Sequence, residues 1–193
     1  MLQRRPGGWE NAFIEWAGDR AGELLLEMFE EEKAAVRGER DAVEVLAEVL
    51  PRYGVTASAD EVFEAVWQHI EPVAETFELV RRLRASGLGV HLGTNQSLRR
   101  AAYMRRELGY DALFDVSIYS AELRLAKPDP AYFRTAAGLI GAEPAEVLFV
   151  DDTAANVAAA RSIGMAGVHW HLDEGHPALL ERLAECGVVP ATT

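Results

Sequence analysis

The sequence predicts an α/β fold: a parallel sheet flanked by helices, joined to a small all-helical unit. Three observations predict it. Apolar residues between about 9 and 69 recur only at three- and four-residue spacing. After Pro72 short apolar runs alternate with helical stretches. The loops that follow those runs carry Thr-Asn, Ser and Asp-Asp, polar residues suited to the carboxyl ends of parallel strands.

The elements follow in order. The first eight residues are polar, hold Arg4, Arg5 and Pro6, and end in Gly7-Gly8, so they read as a loop. From Trp9 the pattern is helical: Ala12, Phe13, Trp16, Leu24, Leu25, Met28 and Phe29, then Val43, Leu46, Val49 and Leu50. Pro51 to Gly54 breaks the run, and Ser58 with Glu61 forms a capping box that opens the helix of Val62, Phe63, Val66 and Trp67. A helix with Phe77, Val80 and Leu83 ends at Gly87, and Leu88 to Leu92 follows as a strand that stops at Gly93-Thr94-Asn95. The helix of Leu98, Ala102, Met104 and Leu108 ends at Gly109, and Phe114 to Tyr119 is the next strand. Pro130 to Ile140 is helix, Val147 to Val150 strand, Ala154 to Ile163 helix and Ala166 to Trp170 a fourth strand. The resulting division is a loop over 1–8, a helical unit over 9–70 and a Rossmann-like α/β core over 71–193.

Composition limits the function. The 193 residues carry 19 basic and 31 acidic side chains, a net charge of -12, with the acidic residues spread along the chain. Nucleic acid and anionic membrane surfaces are excluded as partners, because both are bound by basic stripes that this chain lacks. The lone Cys186 forms no internal disulfide, and no apolar stretch is long enough to span a bilayer or serve as a signal peptide, so a cytoplasmic protein is expected. Oligomeric state is not legible. Only Lys33 and Lys127 stand against 17 arginines, which raises the question of what each lysine does.

Three loops carry chemistry. Asp151 and Asp152 follow an apolar strand at once, placing two carboxylates where their repulsion must be relieved; Mg2+ would relieve it, or one of Asp152 and Thr153 simply caps the next helix. Asn156, one helical turn on, can orient a carboxylate from behind. Lys127 is held by Pro128 and Pro130 in a stiff loop, where its ammonium suits a phosphoryl group or a nucleophilic carboxylate, or is an ordinary surface lysine. Thr94 and Asn95 can offer a hydroxyl, an amide and helix N-terminal N–H groups to a phosphate oxygen, or serve as turn residues.

Taken together, Gly93-Thr94-Asn95, Lys127-Pro128-Asp129-Pro130 and Phe149-Val150-Asp151-Asp152-Thr153 with Asn156 resemble motifs two, three and four of the haloacid dehalogenase (HAD) superfamily. The resemblance covers about 71–170. The helical region before it resembles the small helical cap of the subfamily that inserts its cap after the first strand (subfamily IA-like), closest to its bacterial sugar-phosphate phosphatase branch. The resemblance implies a Mg2+-dependent phosphatase acting on a small phosphorylated metabolite through an aspartyl-phosphate. It implies that Thr94 and Asn95 bind the phosphoryl group and that Lys127 stabilises nucleophile and phosphoryl charge. Asp152 would ligate Mg2+, with Asp151 assisting directly or through water.

The family's first motif, Asp-x-Asp-Gly, does not occur in this sequence. It supplies the nucleophile, the general acid and base and the main metal ligand, so metal binding without it is expected to be weak. Asp19 and Asp41 lie in helical, charged stretches and do not replace it. The motif ends the central strand, and about five or six buried apolar residues at roughly 1.5–3 kcal/mol each approach a domain's net stability. A sheet without that strand is expected to fold poorly. In one reading Met1 stands at the valine after the motif, a GTG codon taken as the start; in the other the chain is a catalytically inactive binding or regulatory protein.

Smaller signals have plainer readings. His169 and His171 are two apart on an expected strand and could share a metal, or play strand-end roles. Trp9, Trp16 and Trp67 are expected in helical packing, and Cys186 in an inert helical tail.

Overall fold

The computed structural model describes residues 2–5, 7 and 10–191. The readings made for Met1, Pro6, Gly8 and Trp9 lie outside the described residues.

The opening is not only loop. Gln3–Arg4 (β1) forms a short antiparallel ladder with Glu71–Pro72 (β2), Gln3 opposite Pro72 and Arg4 opposite Glu71. Val73 N adds a bond to Leu2 O at 2.9 Å, and the buried Tyr110 hydroxyl reaches Gln3 Oε1 at 3.0 Å. A polar two-residue strand escapes sequence reading because its partner lies 68 residues on and no apolar alternation marks it.

Between these strands the chain is helical: α1 (Asn11–Ala17), α2 (Ala21–Val36), α3 (Ala42–Val49) and α4 (Ala59–Phe63), the last continuing as a π-turn over Glu64–Gln68. The Ser58–Glu61 capping box is present, and Asp41 caps α3 by accepting from Val43 N and Glu44 N. These helices share one apolar cluster centred on Phe13, Leu24, Met28, Leu46 and Phe63. Trp67 stacks on Phe63 with ring centroids 5.5 Å apart, and Trp16 meets Phe13 edge-on, so both tryptophans pack as expected.

After β2 come α5 (Ala74–Ala85), β3 (Leu92–Thr94), α6 (Leu98–Arg106), α7 (Tyr110–Leu113), β4 (Ser117–Tyr119) and α8 (Ser120–Leu123). The chain continues through α9 (Pro130–Ile140), β5 (Leu148–Asp151), α10 (Ala154–Ser162), β6 (Ala166–His169) and α11 (Gly175–Glu185). Pro130 at the first turn and Asp129, accepting from Ala131 N at 2.8 Å, start α9 where the sequence places it.

Two strands are shorter than expected. The run Leu88 to Leu92 yields a ladder only from Leu92, and Phe114 to Tyr119 only from Ser117. The Asp115 carboxylate takes the Val90 N–H at 2.8 Å while Asp115 N donates to Val90 O at 2.9 Å, so this pairing starts with one side-chain bond and one backbone bond.

All four core strands are parallel to their partners, yet they form two ladders rather than one sheet: β3 with β4, and β5 with β6. Between them lies an apolar cavity of about 490 Å³, bounded by Leu92 and Gly93 on one side, Phe149 and Val150 on the other, with Leu2 also in its wall. No described strand fills it. Among the described residues no helix is long and apolar enough to cross a membrane.

Candidate active site

The carboxyl ends of β3 and β5 meet through one ammonium group. Lys127, in the loop after α8, donates from Nζ to Gly93 O at 3.0 Å and to Asp151 Oδ2 at 2.6 Å. Both side chains are buried, 9% and 4% exposed. Removing two charges from water is costly, so the pair persists only because the remaining lone pairs are also satisfied. Asp151 Oδ1 accepts from Asn156 Nδ2 and from Thr153 N, each at 2.9 Å. Burial pushes the Asp151 carboxyl up, but the Lys127 charge and these hydrogen bonds together outweigh it and hold it below the usual carboxylate range.

Asn95 fixes the lysine's backbone. Its Nδ2 donates to Lys127 O at 2.8 Å, and Lys127 N donates to Asn95 Oδ1 at 2.9 Å, a reciprocal pair. Thr94 ends β3, and its hydroxyl oxygen accepts from Gln96 Nε2 at 3.3 Å. Gln96 N in turn donates to Ser120 Oγ at 2.9 Å, and Ser120 donates to Val36 O at 2.6 Å across 84 residues of chain. The fully buried Ser120 therefore ties the turn after β3 to the end of α2. The same junction is close: Gly38 has φ +65°, and a Cβ there would lie 2.2 Å from Ala121 O.

Five of the six residues read from the sequence, Asn95, Lys127, Asp151, Thr94 and Asn156, lie in this contiguous set. Asp152 follows Asp151 but is exposed, with the Thr153 hydroxyl 3.5 Å from Oδ1. The donor set does not by itself complete a magnesium site. Mg2+ wants several hard oxygens in near-octahedral array, while both Asp151 oxygens are already engaged by protein donors. Among the described residues no three His, Cys, Asp or Glu side chains gather to hold a metal. That includes the two histidines: β6 ends at His169, whose Nε2 lies 3.0 Å from Asp152 O, and His171 Nδ1 instead accepts from Asp173 N at the following turn.

Above this set, between α2, α6 and the β1 segment, opens a cavity of about 620 Å³. Asn95 and Lys127 form its floor. Arg100 and Glu32, two residues that sequence reading missed, face it from α6 and α2. Burial raises the Glu32 carboxyl to about 7 against the opposing influence of the Trp67 indole, Arg5 and Arg100. Burial likewise lowers Arg100 to about 10, helped by the nearby Arg5 charge. No sequence signal marks either: Arg100 is one of four arginines on a nine-residue helix, and Glu32 one of three consecutive glutamates.

Parallel strands with polar side chains gathered at their carboxyl ends, beside a helical unit, place the candidate site where open α/β folds bind ligands. Residues 9–164 match the haloacid dehalogenase-like hydrolase family, and the chain belongs to it. It is 28% identical over 163 residues to the phosphorylated carbohydrates phosphatase of Thermotoga maritima, covering 79% of this chain and 74% of that protein. It is 32% identical over 131 residues to a phosphoglycolate phosphatase of Cereibacter sphaeroides, 68% of this chain and 57% of that one. With the sesquiterpene phosphatase of Aspergillus oryzae it shares 35% identity over 101 residues, so the chain spans about half the length of that relative. A HAD-family enzyme from Bacteroides thetaiotaomicron has the same fold, with a TM-score of 0.78 at 16% identity over 92% of both chains.

Proposed function

We propose that this chain is the cap and core of a phosphatase for a small phosphorylated metabolite, with residues 9–70 acting as the cap over the core of 71–193. The observation that carries the reading is the buried Lys127–Asp151 pair at the joined ends of β3 and β5, with Asn95 clamping the lysine. In this reading Thr94 and Asn95 hold the phosphoryl oxygens and Lys127 neutralises charge on the phosphoryl group and its attacker. Asp151 and Asn156 are positioning residues that keep the ammonium in place. The phosphatase names of the relatives support the reaction class. The free, exposed Cys186 suits a reducing cytoplasmic setting.

The nucleophile is proposed to come from an Asp-x-Asp segment that this sequence does not contain, seated as a strand in the apolar cleft between β3 and β5. Its aspartate would attack phosphorus as the ester P–O bond breaks, and water would then hydrolyse the aspartyl-phosphate. Mg2+ would supply charge neutralisation at the phosphoryl oxygens. Its shell would need that segment's carboxylates beside Asp152. The test compares the chain as written with the chain extended upstream by its own coding sequence, each with and without Mg2+. Metal-dependent hydrolysis by the extended form only, lost in Lys127→Ala, is expected. Robust turnover by the chain as written would refute the account.

A second reading, a binding or regulatory protein on the same fold, is favoured by the same missing Asp-x-Asp. It predicts phosphate binding and no turnover by either form.

A further inference from the structure

The cavity above Lys127 has a charge opposite to that of the protein. The chain carries -12 overall, yet Arg4, Arg5, Lys33, Arg37, Arg100 and Lys127 line this one space, and Glu32 is its single acidic wall residue. Five of these cations have acidic neighbours: Arg37 pairs with Glu39 at 2.7 Å, Lys33 with Glu30 at 2.5 Å, Lys127 with Asp151, Arg5 feels Glu32 and Glu10, and Arg100 feels Glu32 without a hydrogen bond to it at Nε.

Arg100 differs. Its side chain is fixed near the start of α6, the residue is only 3% exposed, and its Nε is buried with no hydrogen-bond partner among the described residues. A buried guanidinium N–H left unmatched is costly and rare, and arginine's planar fork fits the two oxygens of a carboxylate or phosphate. Glu32 makes no hydrogen bond to the Arg100 Nε, and with its carboxyl raised to about 7 by burial it offsets only part of the cationic wall near neutral pH.

Resting on the phosphatase reading above, we propose that the substrate carries a second anionic group besides its phosphoryl group, and that Arg100 receives it. The phosphoryl group sits on the floor at Lys127 and Asn95. The second oxyanion, a carboxylate or a second phosphate on the same small molecule, sits on the wall formed by α6. A cavity of about 620 Å³ holds such a metabolite with room to spare. A neutral sugar monophosphate would leave Arg100 buried and unmatched, so the site discriminates by what it leaves unsatisfied.

The test is binding to the chain as it stands, by calorimetry, with two probes that differ at one carbon: 3-phosphoglycerate and sn-glycerol 3-phosphate. A third probe, glycerol 1,3-bisphosphate, which has a second phosphate and no carboxylate, separates the two. The expected result is at least tenfold tighter binding of one or both of the probes with a second anionic group than of glycerol phosphate. That preference should fall below threefold in Arg100→Gln, while glycerol phosphate still binds and still depends on Lys127. Arg37→Ala, at the cavity rim, should reduce the preference only partly, and serves if Arg100→Gln fails to fold. Equal binding of all three probes, still abolished by Lys127→Ala, would overturn the second-anion site and leave the phosphoryl site standing. Binding that survives Lys127→Ala but not Arg100→Gln would overturn the phosphoryl reading instead. No binding of any probe would overturn both.

Discussion

The Lys127 ammonium and the Asp151 carboxylate are 2.6 Å apart, and the pair is the polar tie between two strand ladders that are otherwise separated by an apolar cavity. Lys127 also holds Gly93 O on the opposite ladder, so one side chain touches the ends of both β3 and β5.

Removing the cation should therefore be expensive. Lys127→Met leaves Asp151 buried and ionised without its partner, and a loss of about 3–5 kcal/mol is expected. The double variant Lys127→Met with Asp151→Leu should recover much of it. Urea midpoints of the four proteins, taken at one pH, give the coupling directly.

Asn95→Ala removes both bonds of the reciprocal pair with Lys127 and leaves the Lys127 backbone groups unmatched in a half-buried loop. A destabilisation of about 1–3 kcal/mol is expected. Asn95→Asp keeps the acceptor for Lys127 N and loses only the donor, so it should cost less. The order of the two midpoints is the check.

Stability should depend on pH in two windows of opposite slope. The folded Asp151 carboxyl lies below its unfolded value, so its contribution is complete above about pH 4. It is lost as pH falls through the folded value. Glu32 runs the other way. Its folded value is about 7 against an unfolded value near 4.3, so the native state binds more protons between those limits and stability declines as pH rises through them. Glu32→Gln should abolish the decline between pH 4.5 and 7, and Asp151→Asn the acid limb. Denaturant titrations from pH 3 to 8 separate the two.

Gly38→Ala should separate the helical unit from the core. Its φ of +65° disfavours a side chain, and the new Cβ would press on Ala121 O at 2.2 Å. A loss of about 2 kcal/mol or more is expected, with weakening of the neighbouring Ser120 to Val36 bond. A rise in the exchange rate of the Gln96 amide, which Ser120 accepts, would report it.

Much of this arrangement was legible in the sequence, and the reason is chemical. Asp151 and Asn95 each follow closely on an apolar run, and Lys127 stands just before Pro128 and Pro130 in the loop beside them, so their placement at one sheet edge follows from topology. Arg100 and Ser120 were not legible. Arg100 is ordinary in its own helix, and its place beside Arg5 and Glu32 exists only once α2 and the β1 segment are set across the cavity from α6. The role of Ser120 exists only once Val36, far away in the chain, presents its carbonyl. The strand beginning at Leu88 was read too early because apolar composition does not reveal that the Asp115 side chain would occupy the Val90 amide. Division of the sheet into two ladders is likewise a matter of pairing, which periodicity does not encode.

The β1 and β2 segments bear on how such a protein can change. The chain leaves for the helical unit at Arg4 and returns at Glu71, and these two residues face each other in the ladder. Everything between is a module whose entry and exit coincide. A helical unit of other length or sequence could be spliced at that point without moving the strands on either side. The contacts of Glu32, Val36, Gly38, Asp60, Phe63 and Gln68 with the core would need to be matched. In the phosphatase reading proposed above, a chimaera that exchanges residues 5–70 with those of a relative would replace the Glu32 wall of the cavity and leave Lys127 and Arg100 in place.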